Sequence, residues 1–232
     1  MNSDIVEETE RIFEELCQNV SLSKYLDPKF QIPKPYIGKG SIRLIVLGQD
    51  PTVKDASKRK SIKTTLNLDT NGSVRAYLSG MCQKLGIDLL QNVYATNLFK
   101  NFFIQPPTKI KEVNIFQTFL PYWLPLLLDE LAQYPGLPVI TLGQPVMQTL
   151  VKTGVPNLVR EYWGYTTDWK EGKREPLQFI KSAENILGRT IFPFPHQPSI
   201  RKDFYRQRMD GYIAFLRILA FPVGSKGNSD SY

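Results

Sequence analysis

The sequence predicts an α/β fold of three layers (α/β/α), with helices on both faces of a central, mostly parallel four-stranded sheet. Three observations predict it. Four short aliphatic or β-branched runs, at 42–47, 93–98, 137–142 and 190–194, have the character of buried strands. Segments of helical character alternate with them, which argues for parallel strands covered on both faces. Two of the runs close alike, on Leu47-Gly48-Gln49 and Leu142-Gly143-Gln144, so both deliver a loop to one rim of the sheet.

Each element follows from its residues. At 4–20 an amphipathic helix places Ile5, Ile12, Phe13 and Leu16 on one face, with acids near its start where the helix dipole favours them. A Pro-, Gly- and Lys-rich loop at 27–41 leads to the first strand, 42–47. Residues 48–65 read as a long, basic, irregular loop. A helix at 73–85 stops at Gly86. The second strand, 93–98, is followed by a loop at 99–107. Residues 111–134 read as mostly helical, broken or bent at Pro121 and Pro125. The third strand, 137–142, feeds a helix at 144–152. Residues 157–185 are mixed and polar, with no assigned element. The fourth strand, 190–194, leads through a loop at 195–200 into a last helix at 201–220. Residues 1–223 read as one domain, and 224–232 as a frayed Gly/Ser-rich tail.

Composition narrows the function. The 232 residues carry a net charge of +7, but residues 1–16 hold six acids and one base. The remainder therefore carries 28 bases against 16 acids, and a body that basic favours a polyanionic partner such as nucleic acid. Two cysteines and one histidine exclude a four-cysteine cluster, a cysteine-ligated zinc and any site needing two imidazoles. A Mg²⁺ site of carboxylates alone stays open. No apolar run has membrane-spanning length, and the acidic N-terminus is unlike a signal peptide. The expectation is an intracellular, cytoplasmic monomer (nuclear in a eukaryote) with reduced thiols, no membrane association and no cofactor.

Candidate chemistry sits at strand ends. Asp50 follows the first strand between Gln49 and Pro51, and Pro51 holds it on a stiff turn. Asn97 closes the second strand; its amide can read a base edge with a donor and an acceptor at once. His196 follows the fourth strand, stiffened by Pro195 and Pro198. All three should face one crevice. Taken singly, an Asp-Pro is more often a turn and a lone histidine more often structural.

With these residues in order, the chain resembles the uracil-DNA glycosylase superfamily over roughly residues 40–217. Gly48-Gln49-Asp50-Pro51 is similar to its water-activating motif, and His196-Gln197-Pro198-Ser199 to its His-Pro-Ser motif with one residue inserted. Asn97, in Ala95-Thr96-Asn97-Leu98, matches the uracil-reading asparagine. The resemblance implies that Asp50 and His196 are catalytic and that Gln49, Thr52, Asn97 and Leu66 bind the base. It implies DNA contacts at Ser73, Gln144 and Ser199, and Ile200 or Arg201 as the side chain filling the gap left by a flipped base. Lys58 and Arg59, in the basic run after the first motif, are read as phosphate contacts. Lys170, Lys173 and Arg174 are read as solvated surface. The chain departs from the family's best-known branch in two places. Thr52-Val53 stands where that branch has Tyr-His, whose tyrosine excludes the thymine methyl. The stacking aromatic expected near Leu66 or Leu68 is absent, unless Phe102 or Phe103 replaces it.

The function implied is metal-independent hydrolysis of the N-glycosidic bond of uracil, or a related damaged base, in single- or double-stranded DNA. The alternative is a catalytically weak nucleic-acid-binding protein on the same fold. A Mg²⁺ phosphoesterase is disfavoured, because no clustered carboxylates accompany Asp50 in sequence.

Overall fold

The computed structural model describes residues 3–221; the tail expected over 224–232 lies outside them. One mixed sheet forms in the order β1-β3-β2-β4-β5. Its strands are β1 (Tyr36–Ile37), β2 (Leu44–Gly48), β3 (Val93–Asn97), β4 (Val139–Leu142) and β5 (Ile191–Phe194). The last four are mutually parallel, and β1 runs antiparallel to β3 along the edge. The sheet therefore has five strands where the sequence suggested four. The extra one is two residues long, sits between Pro35 and Gly38, and shows no periodicity to read.

β2 to β5 are buried along their whole length, which is why their sequences run continuously apolar rather than alternating. The helices are α1 (Ser3–Gln18), α2 (Val20–Ser23), α3 (Ser73–Leu85), α4 (Leu89–Asn92), α5 (Ile115–Ala132), α6 (Gln144–Leu150), α7 (Val159–Tyr162) and α8 (Asp203–Ala220). Thr96 Oγ1 bonds Glu130 of α5, whereas its neighbour Asn97 lies against Leu66 on the other side of the sheet. Successive strand residues face opposite ways, so α5 covers one face. α3 and α8 pack together on the other. Among the described residues no helix is long and apolar enough to cross a membrane.

Three expectations are corrected. α5 runs unbroken through Pro121 and Pro125. Both prolines are exposed, while Ile115, Phe119, Trp123, Leu127 and Leu131 bury the opposite face and hold the helix across the missing donors. The loop at 48–65 contains 3₁₀ turns at Ala56–Ser61 and Thr65–Asn67. Residues 157–185 carry α7 and then cover the free edge of β5, where Ile180 and Ile191 exchange backbone hydrogen bonds of 2.9 and 3.0 Å. An edge left open there would invite pairing with another chain.

Candidate functional site

The chain leaves β2 for β3 on one side and β4 for β5 on the other, so the sheet's switch point lies between β2 and β4. Ligands of open α/β sheets bind beyond the carboxyl ends of the strands at such a point. Gly48, Asn97, Gly143 and His196 all lie at those ends. His196 is two strands from Asp50, or about 10 Å at the usual strand spacing.

Gly48 pairs in register with Asn97. A Cβ on Gly48 would stand 2.4 Å from Asn97 Oδ1 and 2.9 Å from Leu66 Cδ2. Glycine is thus required for the Asn97 amide and the Leu66 side chain to close over the end of β2. Asn97 Oδ1 is buried with no hydrogen-bond partner, a condition that favours a donor brought by a ligand. Leu66 and Asn67 both have left-handed backbones, with φ of 58° and 53°. Such strain in side-chain-bearing residues concentrates at binding sites.

Asp50 is half-buried. Its Oδ2 accepts from Gln49 Nε2 at 2.7 Å and its Oδ1 from the Thr52 N–H at 2.7 Å. Burial pushes the carboxyl up to about 6, against the lowering pull of those hydrogen bonds. It is therefore ionised at neutral pH but only narrowly. Thr52 is itself fixed, since its Oγ1 accepts from the Phe103 N–H at 2.8 Å. Phe102 and Phe103 are buried among Phe30, Phe99 and Phe119, so neither ring supplies the missing stacking surface. The side chain that lies against the end of β2 is Leu66.

Gly143, at φ 97°, carries the turn from β4 into α6 directly under the His196 Cβ. His196 is exposed, and partial desolvation lowers its imidazole below the usual value. It is neutral at pH 7 and can donate one N–H. Its carbonyl accepts from the N–H groups of Ser199 and Ile200, which closes the 3₁₀ turn Gln197–Arg201. In that turn Ile200 packs toward the core and Arg201 is exposed. Ser73 and Gln144, both exposed, open α3 and α6.

Arg59 does not fit the phosphate-contact reading. Only 3% of it is exposed, and all five of its N–H donors are engaged inside the protein. They reach Asp27 Oδ2 at 2.8 Å, the Phe103 and Ile104 carbonyls at 2.9 and 3.1 Å, and the Val53 carbonyl twice, at 3.3 and 3.2 Å. Arg59 ties the basic loop to the segment after β3. Its neighbour Lys58 is exposed, 3.7 Å from Asp55.

One group at the site was missed in the sequence. Lys100 is buried, and its Nζ donates to Thr96 Oγ1 at 2.6 Å, to the Asn97 carbonyl at 2.9 Å and to Glu130 Oε2 at 2.6 Å. Burial lowers the lysine's pKa, and Glu130 opposes that shift. The available signal was a lone charge inside the apolar run 98–103. Beside the site, a cleft of about 550 Å³ opens between Phe116 of α5 and Gln148 of α6, and none of the predicted site residues lines it. Among the described residues no group of three His, Cys, Asp or Glu side chains could hold a metal ion. No known protein family and no curated protein matches the chain.

Proposed function

We propose that the chain is a DNA N-glycosylase of the uracil-DNA glycosylase type that removes uracil or a related damaged base. The observation that carries this reading is the Gly48–Asn97 pair. It leaves the buried Asn97 amide oxygen without a partner beside Gly48, two residues before the Asp50 carboxylate, which burial pushes up to about 6.

The chemistry follows from the groups. A base inside a duplex must be turned out of the stack to be reached, at a cost of a few kcal/mol. Asn97 Oδ1 accepts from a ring N–H of the extruded base, and its Nδ2 donates to the neighbouring carbonyl. As the bond from the sugar to the base breaks, its electron pair leaves with the base and positive charge grows on the sugar. The Asp50 carboxylate stabilises that cation, as in glycoside hydrolysis, and orients and deprotonates the attacking water. A neutral His196 donates to the developing anionic base, as an oxyanion hole does. No step requires a metal ion.

The test is base release in EDTA from single- and double-stranded oligonucleotides carrying uracil, hypoxanthine, xanthine or 5-hydroxymethyluracil. Abasic sites formed from any of these support the reading. Strand scission that EDTA abolishes supports a metal-dependent phosphoesterase instead. Binding without release from any substrate supports a non-catalytic DNA-binding protein.

A further inference from the structure

The segment 157–185 does more than cover the edge of β5. Trp163 Nε1 donates to the Pro193 carbonyl at 2.7 Å, and its ring lies against Phe194, Tyr205 and Tyr212. This anchors the segment at the carboxyl end of β5, two residues before His196. Phe204, in the first turn of α8, then makes T-shaped pairs with Tyr165 and Trp169, ring centroids 5.2 and 5.5 Å apart.

Three arginines crown this aromatic cluster. Arg160 lies over the Tyr165 ring at 4.4 Å, and Arg174 over the Trp169 ring at 5.7 Å. Arg208 Nε donates to the Trp163 carbonyl at 3.0 Å, and Gly164 leaves the space that Arg208 Nη2 fills. Arg174 Nη1 donates to the Trp169 and Lys173 carbonyls. Among the described residues none of the three has a carboxylate within 4 Å, and Arg174 and Arg208 are close enough to repel each other. Asp168 is taken by Lys173 at 3.0 Å and Asp203 by Arg206 at 2.8 Å, while the exposed Glu171 and Glu175 carboxylates of the same segment stay more than 4 Å from all three guanidinium groups.

The contrast with Arg59 is direct. Arg59 has no donor left, whereas Arg208 keeps both terminal nitrogens, Arg174 keeps Nε and Nη2, and Arg160 keeps all its donors without a protein acceptor among the described residues. Two guanidinium groups over aromatic faces and a third tied to the Trp163 carbonyl, with forks unfilled and one pair repelling, are set for bidentate anions. We propose that Arg160, Arg174 and Arg208 form a phosphate-binding patch that grips the DNA backbone beyond the His196 loop. This rests on the glycosylase reading, and it moves Arg174 from solvated surface to ligand contact. One strand spacing past β5 places the patch about 15 Å from the β2 end, or about four nucleotides along a strand.

The experiment is fluorescence anisotropy of an undamaged 20-base-pair duplex over a salt series, with wild type and Arg160→Gln/Arg174→Gln. Removing two phosphate contacts should lower the slope of log affinity against log salt by about 1.8. Arg160→Lys/Arg174→Lys, which keeps both charges, should retain most of the slope, and the single variants Arg160→Gln and Arg174→Gln, each expected to lower it by about 0.9, serve if the double Gln variant fails to fold. A single strand with two nucleotides on either side of uracil is too short to reach the patch and should bind all variants alike. An unchanged slope on the duplex in a folded Gln variant overturns the patch and leaves the glycosylase reading standing. Equal losses on long and short DNA overturn it as well, since they mark a general charge effect. Wild type that does not bind DNA overturns both readings.

Discussion

Replacing Asp50 with asparagine should stabilise the protein and disable it together. Folding moves the Asp50 carboxyl from 3.8 to about 6, which makes its ionisation in the fold unfavourable by about 3 kcal/mol, at 1.4 kcal/mol per pKa unit. The sign follows from proton binding. Between these two values the folded state holds the proton that the unfolded chain has released, so stability is lost as pH rises from 3.8 through about 6. At pH 7.5 the penalty is complete, and at pH 3.5 it is absent. An asparagine removes it but offers one oxygen to the two donors, Gln49 Nε2 and the Thr52 N–H, a loss of about 1 kcal/mol. The net gain at pH 7.5 is about 2 kcal/mol, which is a rise in Tm of about 4–8 °C for a chain of this size. Thermal unfolding followed by circular dichroism at both pH values measures it, and the rise should disappear in acid. Single-turnover base release should meanwhile fall by about 10²–10³-fold, with the affinity for undamaged duplex unchanged or higher. A variant less stable than wild type at pH 7.5, or one with unimpaired release, would refute the role given to this carboxylate.

Other outcomes follow from neighbouring residues. The kcat/KM of the wild type should rise with pH through about 6 as Asp50 ionises; a flat profile from pH 5 to 8 contradicts the assignment. Gly48→Ala puts a methyl 2.4 Å from Asn97 Oδ1, so base release should drop at least about tenfold while duplex binding in anisotropy holds; equal activity would mean the amide is not needed there. Arg59→Met leaves Asp27 and three carbonyls without their donor and should cost about 3–5 kcal/mol in urea unfolding. It should leave the salt slope of DNA binding unaltered. Lys58→Ala should do the reverse, lowering that slope by about 0.9 without changing the urea midpoint.

What the sequence revealed follows from which forces are local. The four parallel strands were legible within two residues because burial on both faces makes them continuous apolar runs. β1 was not, because pairing with β3 rather than its own residues makes it a strand. Pro121 and Pro125 suggested a broken helix, since a local rule cannot weigh the buried face that holds α5 together. At the site, Asp50, Asn97 and His196 were legible because strand ends in a parallel sheet share one rim. Arg59 was misread because Lys58-Arg59-Lys60 looks uniformly solvated, and its partner Asp27 lies 32 residues away. The left-handed backbone of Leu66 carries no local signature, since nothing in its side chain favours that conformation.

The buried Lys100–Glu130 pair bears most directly on how the site is held. Removing two charges from water is expensive, and apolar replacements of a buried pair are often neutral or stabilising. Stability alone therefore gives a weak reason for it. Position gives a better one. All three Nζ protons of Lys100 are engaged, one of them by the Asn97 carbonyl, so α5 fixes the backbone of the residue whose amide closes over Gly48. The pair also uses the sheet face opposite the site, leaving the Asn97 amide free for a ligand. Lys100→Met/Glu130→Leu should then keep or raise the Tm while lowering base release, and the loss should appear in kcat more than in KM. If the double variant folds and turns over as wild type does, the pair is packing and nothing more.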